Sequence, residues 1–249
     1  MSDPVLIITG SGRGIGAATA RLAALRGWAV CVNYRERADS AEAVVAAVKA
    51  AGGKAIAVRA DNSREEDIVR LFTETEHALG PVTGLVNNAG VPGRISRLAD
   101  LEVAQLRRVL DVNVVGTILC SREAVRRMST ARGGAGGAIV NVSSMAAKTG
   151  SPGELVPYAA AKAAVETFTY GLGAEVAREG IRVNAVSAGL IETEIHAEAG
   201  DAARLERYAT RMPMARAGKP EEVAAAIVWL LSPEASYITG ATLPVAGGR

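Results

Sequence analysis

The sequence predicts a doubly wound α/β fold: one domain over residues 1–249, with a parallel sheet of about seven strands. Short runs rich in Val, Ile and Leu alternate with longer Ala-rich, charge-bearing segments, the rhythm of strands joined through crossover helices. The apolar runs are continuous rather than alternating, as expected of strands covered on both faces. Several end in glycines, amides or hydroxyls, which gathers hydrogen-bonding groups at the carboxyl edge where such sheets bind ligands. A chain of 249 residues that is 49% hydrophobic can bury a large core in one unit.

Composition excludes other classes. A net charge of +2 without long charge runs leaves no footprint for nucleic acid or for a membrane surface. The apolar stretches are too short to span a bilayer, and Met1 stands almost directly before the first strand, with no room for a signal peptide, so the expected location is cytoplasmic. Cys31 and Cys120 sit singly in apolar segments, which suits small buried hydrophobes and gives neither a metal site nor a disulfide framework.

The first strand, residues 4–9, runs into Gly10-Ser11-Gly12-Arg13-Gly14-Ile15-Gly16 and then into the helix-like AATARLAALRGW. Strand, glycine turn and helix in succession make a nucleotide-phosphate site, because bare backbone lets a diphosphate approach N–H groups at a helix N-terminus. A structural strand–helix turn is the plainer alternative. The second strand, residues 29–34, ends at Asn33-Tyr34-Arg35, where an NAD-selective site would place a carboxylate on the ribose 2′-hydroxyl. Arg35, with Arg13, is suited instead to a 2′-phosphate, pointing to NADP(H), unless both are simply solvated. A helix over residues 40–51 and a strand over 54–60 follow. Asp61-Asn62 at that strand's end is placed to read adenine, while Asn62 or Ser63 could equally cap the helix starting at Arg64.

Residues 83–90, TGLVNNAG, read as a strand ending in amides and a glycine, and RGGAGG before residue 138 as a loop. Residues 139–168 combine an apolar run, Ser143-Ser144, and Tyr158 four residues before Lys162 in an Ala-rich helix. A nearby ammonium favours phenolate and lowers a tyrosine pKa by about 1–3 units, so Lys162 is expected to tune Tyr158 as a general acid/base. The serines supply a neutral hydroxyl for a carbonyl or alcohol oxygen. Neighbours on a strand point to opposite faces, so only one serves the substrate.

TGSGRGIG, NNAG at 87–90, Asn113 within DVNVVGT, Ser144, YAAAK at 158–162 and NAVSAGLIET at 184–193 together resemble the short-chain dehydrogenase/reductase family, across essentially the whole chain. The resemblance implies a Rossmann-type sheet of order 3-2-1-4-5-6-7 and hydride transfer between NADP(H) and a small-molecule carbonyl or secondary alcohol. Tyr158 matches the family's acid/base, Lys162 the ribose-binding residue that depresses its pKa, and Ser144 the binder of the substrate oxygen. Asn113 matches a residue in a distorted helix that admits a water to a proton relay. The turn Asn88-Ala89-Gly90 is expected at the adenine ribose, and Gly189, Ile191 and Thr193 at the nicotinamide. The substrate is expected to be a 3-oxoacyl thioester, with a sugar or polyol as alternative, and the assembly a homotetramer built on helices around 101–129 and 156–179, with Ala159, Ala160, Ala163 and Ala164 as a smooth packing surface. A dinucleotide-binding sensor without turnover is the reading from another class; it has no need of the Asn/Ser/Tyr/Lys set.

Departures from the family pattern lie around the substrate. Ala188-Gly189 stands where Pro-Gly is frequent, which removes a fixed φ and is expected to loosen the following loop. The interval from Ser144 to Tyr158 is one residue longer than usual, with Pro152 and Pro157 read in its loop. Residues 190–214 resemble the substrate-binding lid, and His196 there reads as an exposed residue. Lys219-Pro220-Glu221-Glu222 opens a helix, with proline in the first turn and acids at the positive end of the dipole, before a last strand near 241–245.

Overall fold

The computed structural model describes residues 3–249; the reading of Met1 as standing directly before a strand lies outside them. The strands are β1 (Val5–Ile8), β2 (Ala29–Tyr34), β3 (Ala55–Arg59), β4 (Val82–Asn87), β5 (Gly137–Ser144), β6 (Ile181–Ala188) and β7 (Thr242–Val245). They form one parallel sheet in the order β3-β2-β1-β4-β5-β6-β7. The order reverses between β1 and β4, so the connections leave in opposite directions there and a crevice opens at the strands' carboxyl ends.

The helices are α1 (Gly14–Leu25), α2 (Ala38–Ala50), α3 (Glu65–Leu79), α4 (Val103–Leu110), α5 (Gly116–Met128), α6 (Ala146–Thr149), α7 (Val156–Glu175), α8 (Ile195–Glu198), α9 (Arg204–Ala209) and α10 (Pro220–Leu231). Alternation along β1 and β2 divides the core. Leu6, Ile8, Val30 and Val32 pack toward α1, α2 and α10, while Val5, Ile7, Ala29 and Cys31 pack toward α3, α5 and the end of α7. Leu6 and Ile7 are both fully buried, each stabilising the fold by about 1.5–3 kcal/mol relative to exposure. Cys31 and Cys120 belong to the second of these cores as free thiols, raised to about 12 by burial.

Between α4 and α5 the chain makes a π-turn, Asp111–Val115, so that the two helices form one rod with a widened step. Such insertions cluster at functional sites.

Several local expectations change. Pro157 lies in the first turn of α7, not in the preceding loop, where its missing N–H costs nothing. Neither Asn62 nor Ser63 caps α3. Asn62 Nδ2 donates to Asn33 Oδ1 at 3.1 Å, and the Asp61 carboxylate instead accepts the Ser63 N–H at 2.9 Å. The chain after Ala188 is not loosened: Gly189 N donates to Val245 O, and Gly218 N to Leu190 O, with Ile191 bridged in parallel to Gly218. On α7, Ala159 is buried within the chain, and only Ala160 and Ala164 of the expected smooth surface are exposed. No helix among the described residues is long and apolar enough to cross a membrane.

Candidate active site

A cavity of about 940 Å³ opens along the carboxyl edge of the sheet, from the glycine turn to the loops before α7 and around α9. It is lined by Gly10, Gly12, Arg13, Gly14, Ile15, Asn33, Tyr34, Arg35, Asp61, Asn62, Asn88, Ala89 and Gly90 at one end, and by Ser144, Tyr158, Lys162, Gly189, Ile191 and Thr193 nearer the middle. Most of the residues singled out from sequence therefore share one wall.

Ser11, Gly16 and Asn113 do not. Ser11 is fully buried and turns its hydroxyl to Ile8 O at 2.7 Å, closing the turn rather than facing a ligand. Gly16 is needed for close packing: a Cβ there would lie 2.6 Å from Asn88 Nδ2 and 2.8 Å from Gly10 O. Asn113 stands one layer behind the cavity. Its Nδ2 donates to Val91 O and Val109 O, both at 2.8 Å, which ties the π-turn to the strand-end loop.

The nucleotide end is organised by side chains that hold backbone. Asn33 Oδ1 accepts the Gly10 N–H at 3.0 Å, and its Nδ2 reaches Val58 O and Ala60 O, joining β1, β2 and β3 at their ends. Thr9 Oγ1 accepts the N–H groups of Asn88 and Ala89, both at 3.0 Å, while Asn88 Nδ2 donates to the carbonyls of Thr9 and Gly10. Gly10 and Gly14 have φ of +60° and +52°, a region that only glycine enters at little cost.

These residues fit a dinucleotide on two further counts. The turn leads straight into the N-terminus of α1, and Asn62 Oδ1 and Asn113 Oδ1 are buried acceptors without a hydrogen-bond donor. Unpaired buried acceptors are rare in folded proteins and mark places where a ligand or water belongs.

Arg13 and Arg35 are not free at this end. Arg13 forms ion pairs with Glu194 and Glu198, and Arg37 joins Glu194 at 2.9 Å. Arg35 pairs with Glu36 and stands 3.8 Å from Asp61 Oδ2. Burial acts to raise the Asp61 carboxyl, but hydrogen bonds from Ser63 and the charge of Arg35 hold it below the usual range. Arg37, Glu194 and Glu198 escape a sequence reading because the pairs join positions 157 to 185 residues apart.

At the centre, Ser144 ends β5 and Tyr158 and Lys162 project from α7 across it. The two serines separate as strand geometry requires. Ser143 is buried and donates to Glu166 Oε1 at 2.8 Å; Ser144 lies on the cavity wall, where its Oγ accepts the Ala146 N–H at 3.2 Å. Lys162 does not lower the tyrosine here. Burial pushes the Tyr158 phenol up to about 12, and the facing Ser144 hydroxyl offsets only part of that rise. Burial likewise brings the Lys162 ammonium down to about 8. The ammonium is turned to Val142 O at 2.8 Å and lies 5.7 Å from the centre of the Tyr158 ring. Desolvation is the largest cause at both groups and favours the neutral form of each.

The far end is walled by the loop before α7 and by α8 and α9. His196, expected exposed, is half-buried with Nε2 2.9 Å from Ile191 O, and burial lowers its pKa. Glu154, Arg204 and Tyr208 also face the cavity. The sequence marks the loop before α7 and the lid as surrounding the substrate, but not these side chains as a group. No group of three His, Cys, Asp or Glu side chains among the described residues is placed to hold a metal ion.

A family model described as enoyl-(acyl carrier protein) reductase matches residues 10–249. The uncharacterized oxidoreductase YgfF of Escherichia coli (strain K12) is 49% identical over 98% of this chain and 99% of its own. A cis-4-hydroxycyclohexanecarboxylate dehydrogenase of Sinomonas cyclohexanicum is 40% identical over 99% of this chain and 96% of its own. The crystal structure of a dehydrogenase/reductase from Sinorhizobium meliloti 1021 superposes with a TM-score of 0.91 at 34% identity, covering 100% of this chain and 95% of the other. The chain belongs to the short-chain dehydrogenase/reductase family. It is an oxidoreductase of alcohols and carbonyls, from a family that uses nicotinamide dinucleotides.

Proposed function

We propose that the protein interconverts a carbonyl and a secondary alcohol with NADP(H), using Ser144, Tyr158 and Lys162 as its catalytic set. The observation that carries this reading is the meeting of Ser144 and Tyr158 on the wall of a cavity whose other end is the glycine turn. Bound NADPH supplies a hydride for the carbonyl carbon. The chain's own residues do the rest: the Ser144 and Tyr158 hydroxyls donate hydrogen bonds to the carbonyl oxygen, and Tyr158 gives up its proton as the alkoxide develops. A phenol held at about 12 is fully protonated at neutral pH and so is loaded for reduction. Lys162, buried beside it and carrying a proton below about pH 8, is placed to resupply it. Asn113 positions the π-turn behind the lysine.

NADP(H) is favoured over NAD(H) by the absence of a carboxylate at Asn33-Tyr34 and by three arginines, Arg13, Arg35 and Arg37, around the turn. Residues 190–214 act as the substrate lid. Exposed Val115, Ile118 and Val156 on the α4–α5 rod and α7 suit a homotetramer, and the location proposed for it is the cytoplasm. Of the two substrate classes, a 3-oxoacyl thioester and a sugar or polyol, the second is supported by the polar far end of the cavity, where Glu154, Arg204 and Tyr208 meet. The test is to follow oxidation of NADPH and NADH against a panel of carbonyl compounds. Turnover that is lost in Tyr158→Phe supports the reading; full turnover in that variant overturns it.

A further inference from the structure

Beyond Tyr158 the cavity ends in a polar cluster held from several sides. Glu154 lies four residues before the tyrosine. Arg204 Nη2 reaches its Oε2 at 2.7 Å, and the Tyr208 hydroxyl donates to its Oε1 at 3.2 Å. The Arg204 side chain is only 16% exposed and its guanidinium sits 5.1 Å above the Tyr208 ring. Ser96 N donates to Glu154 O at 3.1 Å and Ile95 N to Ala199 O at 3.0 Å, so the loop after β4, the loop before α7 and the lid brace one another here.

We infer that Glu154 is a specificity-determining residue that accepts a hydrogen bond from a substrate hydroxyl remote from the reacting carbon, which selects small polyhydroxylated, ring-sized alcohols. This rests on the carbonyl/alcohol reading above. An ionised carboxylate offers about four lone-pair sites; Arg204 and Tyr208 occupy one on each oxygen and leave room for another donor. A substrate anion fits poorly: Arg204 Nη1 is buried without a hydrogen-bond partner, but the guanidinium already faces two carboxylates, Glu154 at 2.7 Å and Asp201 at 3.8 Å, and the anion would lie against the first of them. A long acyl chain fits poorly too, because it would strip water from the cluster and return no hydrogen bond. Sites built around a polar partner discriminate strongly against analogues that lack it. The dinucleotide must share the same 940 Å³, which also favours a small substrate.

The experiment compares kcat/KM with NADP⁺ for 1,4-cyclohexanediol, cyclohexanol and the ring alcohol bearing a carboxylate at the same position, in wild type, Glu154→Gln and Tyr208→Phe. The diol is expected to exceed cyclohexanol by about tenfold or more in wild type, a hydrogen bond to a charged group. That ratio should fall at least about fivefold in Glu154→Gln, and less in Tyr208→Phe, which keeps the carboxylate. Melting temperatures establish that the variants fold. Equal rates for diol and cyclohexanol, a ratio unchanged in folded Glu154→Gln, or preference for the carboxylate overturns the inference while leaving the carbonyl/alcohol reading intact. No turnover of any of the three, nor of any carbonyl in the wider panel, overturns both.

Discussion

Lys162 Nζ donates to the carbonyl oxygen of Val142 at 2.8 Å, across the gap between α7 and β5, and does so with its side chain almost wholly buried. The ammonium thus has a backbone dipole for a partner and no carboxylate among the described residues within ion-pairing distance. Its proton is correspondingly loose.

This sets a pH dependence of stability. Lys162 falls from an ordinary 10.5 to about 8 on folding, so between those values the unfolded chain binds more protons and stability rises with pH. Tyr158 rises from 10.0 to about 12, so its part is present below pH 10 and is lost as pH climbs through 12. Ligand-free wild type should therefore gain melting temperature between pH 7 and pH 9 relative to Lys162→Met. Parallel pH profiles for the two proteins would contradict the assignment.

Cofactor choice depends on contested arginines. A 2′-phosphate would have to draw Arg35 from Glu36 and Arg13 from Glu194 and Glu198, all exposed pairs of small net worth. Arg35→Ala should lower the ratio of kcat/KM for NADPH over NADH by about tenfold or more. Glu194→Gln, which releases Arg37 and leaves Arg13 held by Glu198 alone, should strengthen NADPH binding severalfold in a fluorescence titration. An unchanged ratio in Arg35→Ala removes that residue from the phosphate site.

The two serines should separate by what their loss costs. Ser144→Ala removes a donor to the reacting oxygen and should lower kcat by about 10²–10³ with little change in Tm. Ser143→Ala leaves the Glu166 carboxylate without its 2.8 Å donor, a loss of about 1–3 kcal/mol in stability, read as a lower Tm with kcat largely kept. The reverse pattern would exchange their roles.

Assembly should be visible in light scattering. Val115, Ile118 and Val156 are 42, 39 and 38% exposed, and Ala160 and Ala164 beside them on α7 let a second helix approach closely. Ile118→Glu should shift the mass of the wild-type oligomer downward at micromolar concentration. A monomeric wild type would remove this surface from consideration.

Sequence made the sheet legible because each central strand carries a short Val/Ile/Leu-rich run that closes near a glycine, an amide or a hydroxyl, and a run such as VLII has few other uses. The Tyr158–Lys162 step was legible because helical spacing alone brings the pair to one face. Orientation was harder. Ser11 and Gly12 are neighbours in one turn, yet only Gly12 lines the cavity while the Ser11 hydroxyl turns into the protein, a choice made by the Ile8 carbonyl. The tyrosine's pKa was misjudged because charge proximity can be read from spacing while burial cannot. Glu194 and Glu198 were missed because their partners lie at the other end of the chain, and Glu154 because its meaning depends on Arg204 and Tyr208 arriving from the lid.

The widened step at residues 111–115 also limits how the gene can change. One residue of an α-helix is worth about 100° of rotation, so the extra residue in the turn sets the angular phase between α4, which buries only Val109, and α5, which buries Gly116, Thr117, Cys120 and Ala124. Substitutions along the rod alter one contact each. Deletion of a single codon within the step would instead swing one helix by more than a quarter turn against the other. Either the α5 core stripe would leave the sheet, or Asn113 and the wall above it would leave the lysine. Length is therefore the conserved property to expect here, ahead of residue identity.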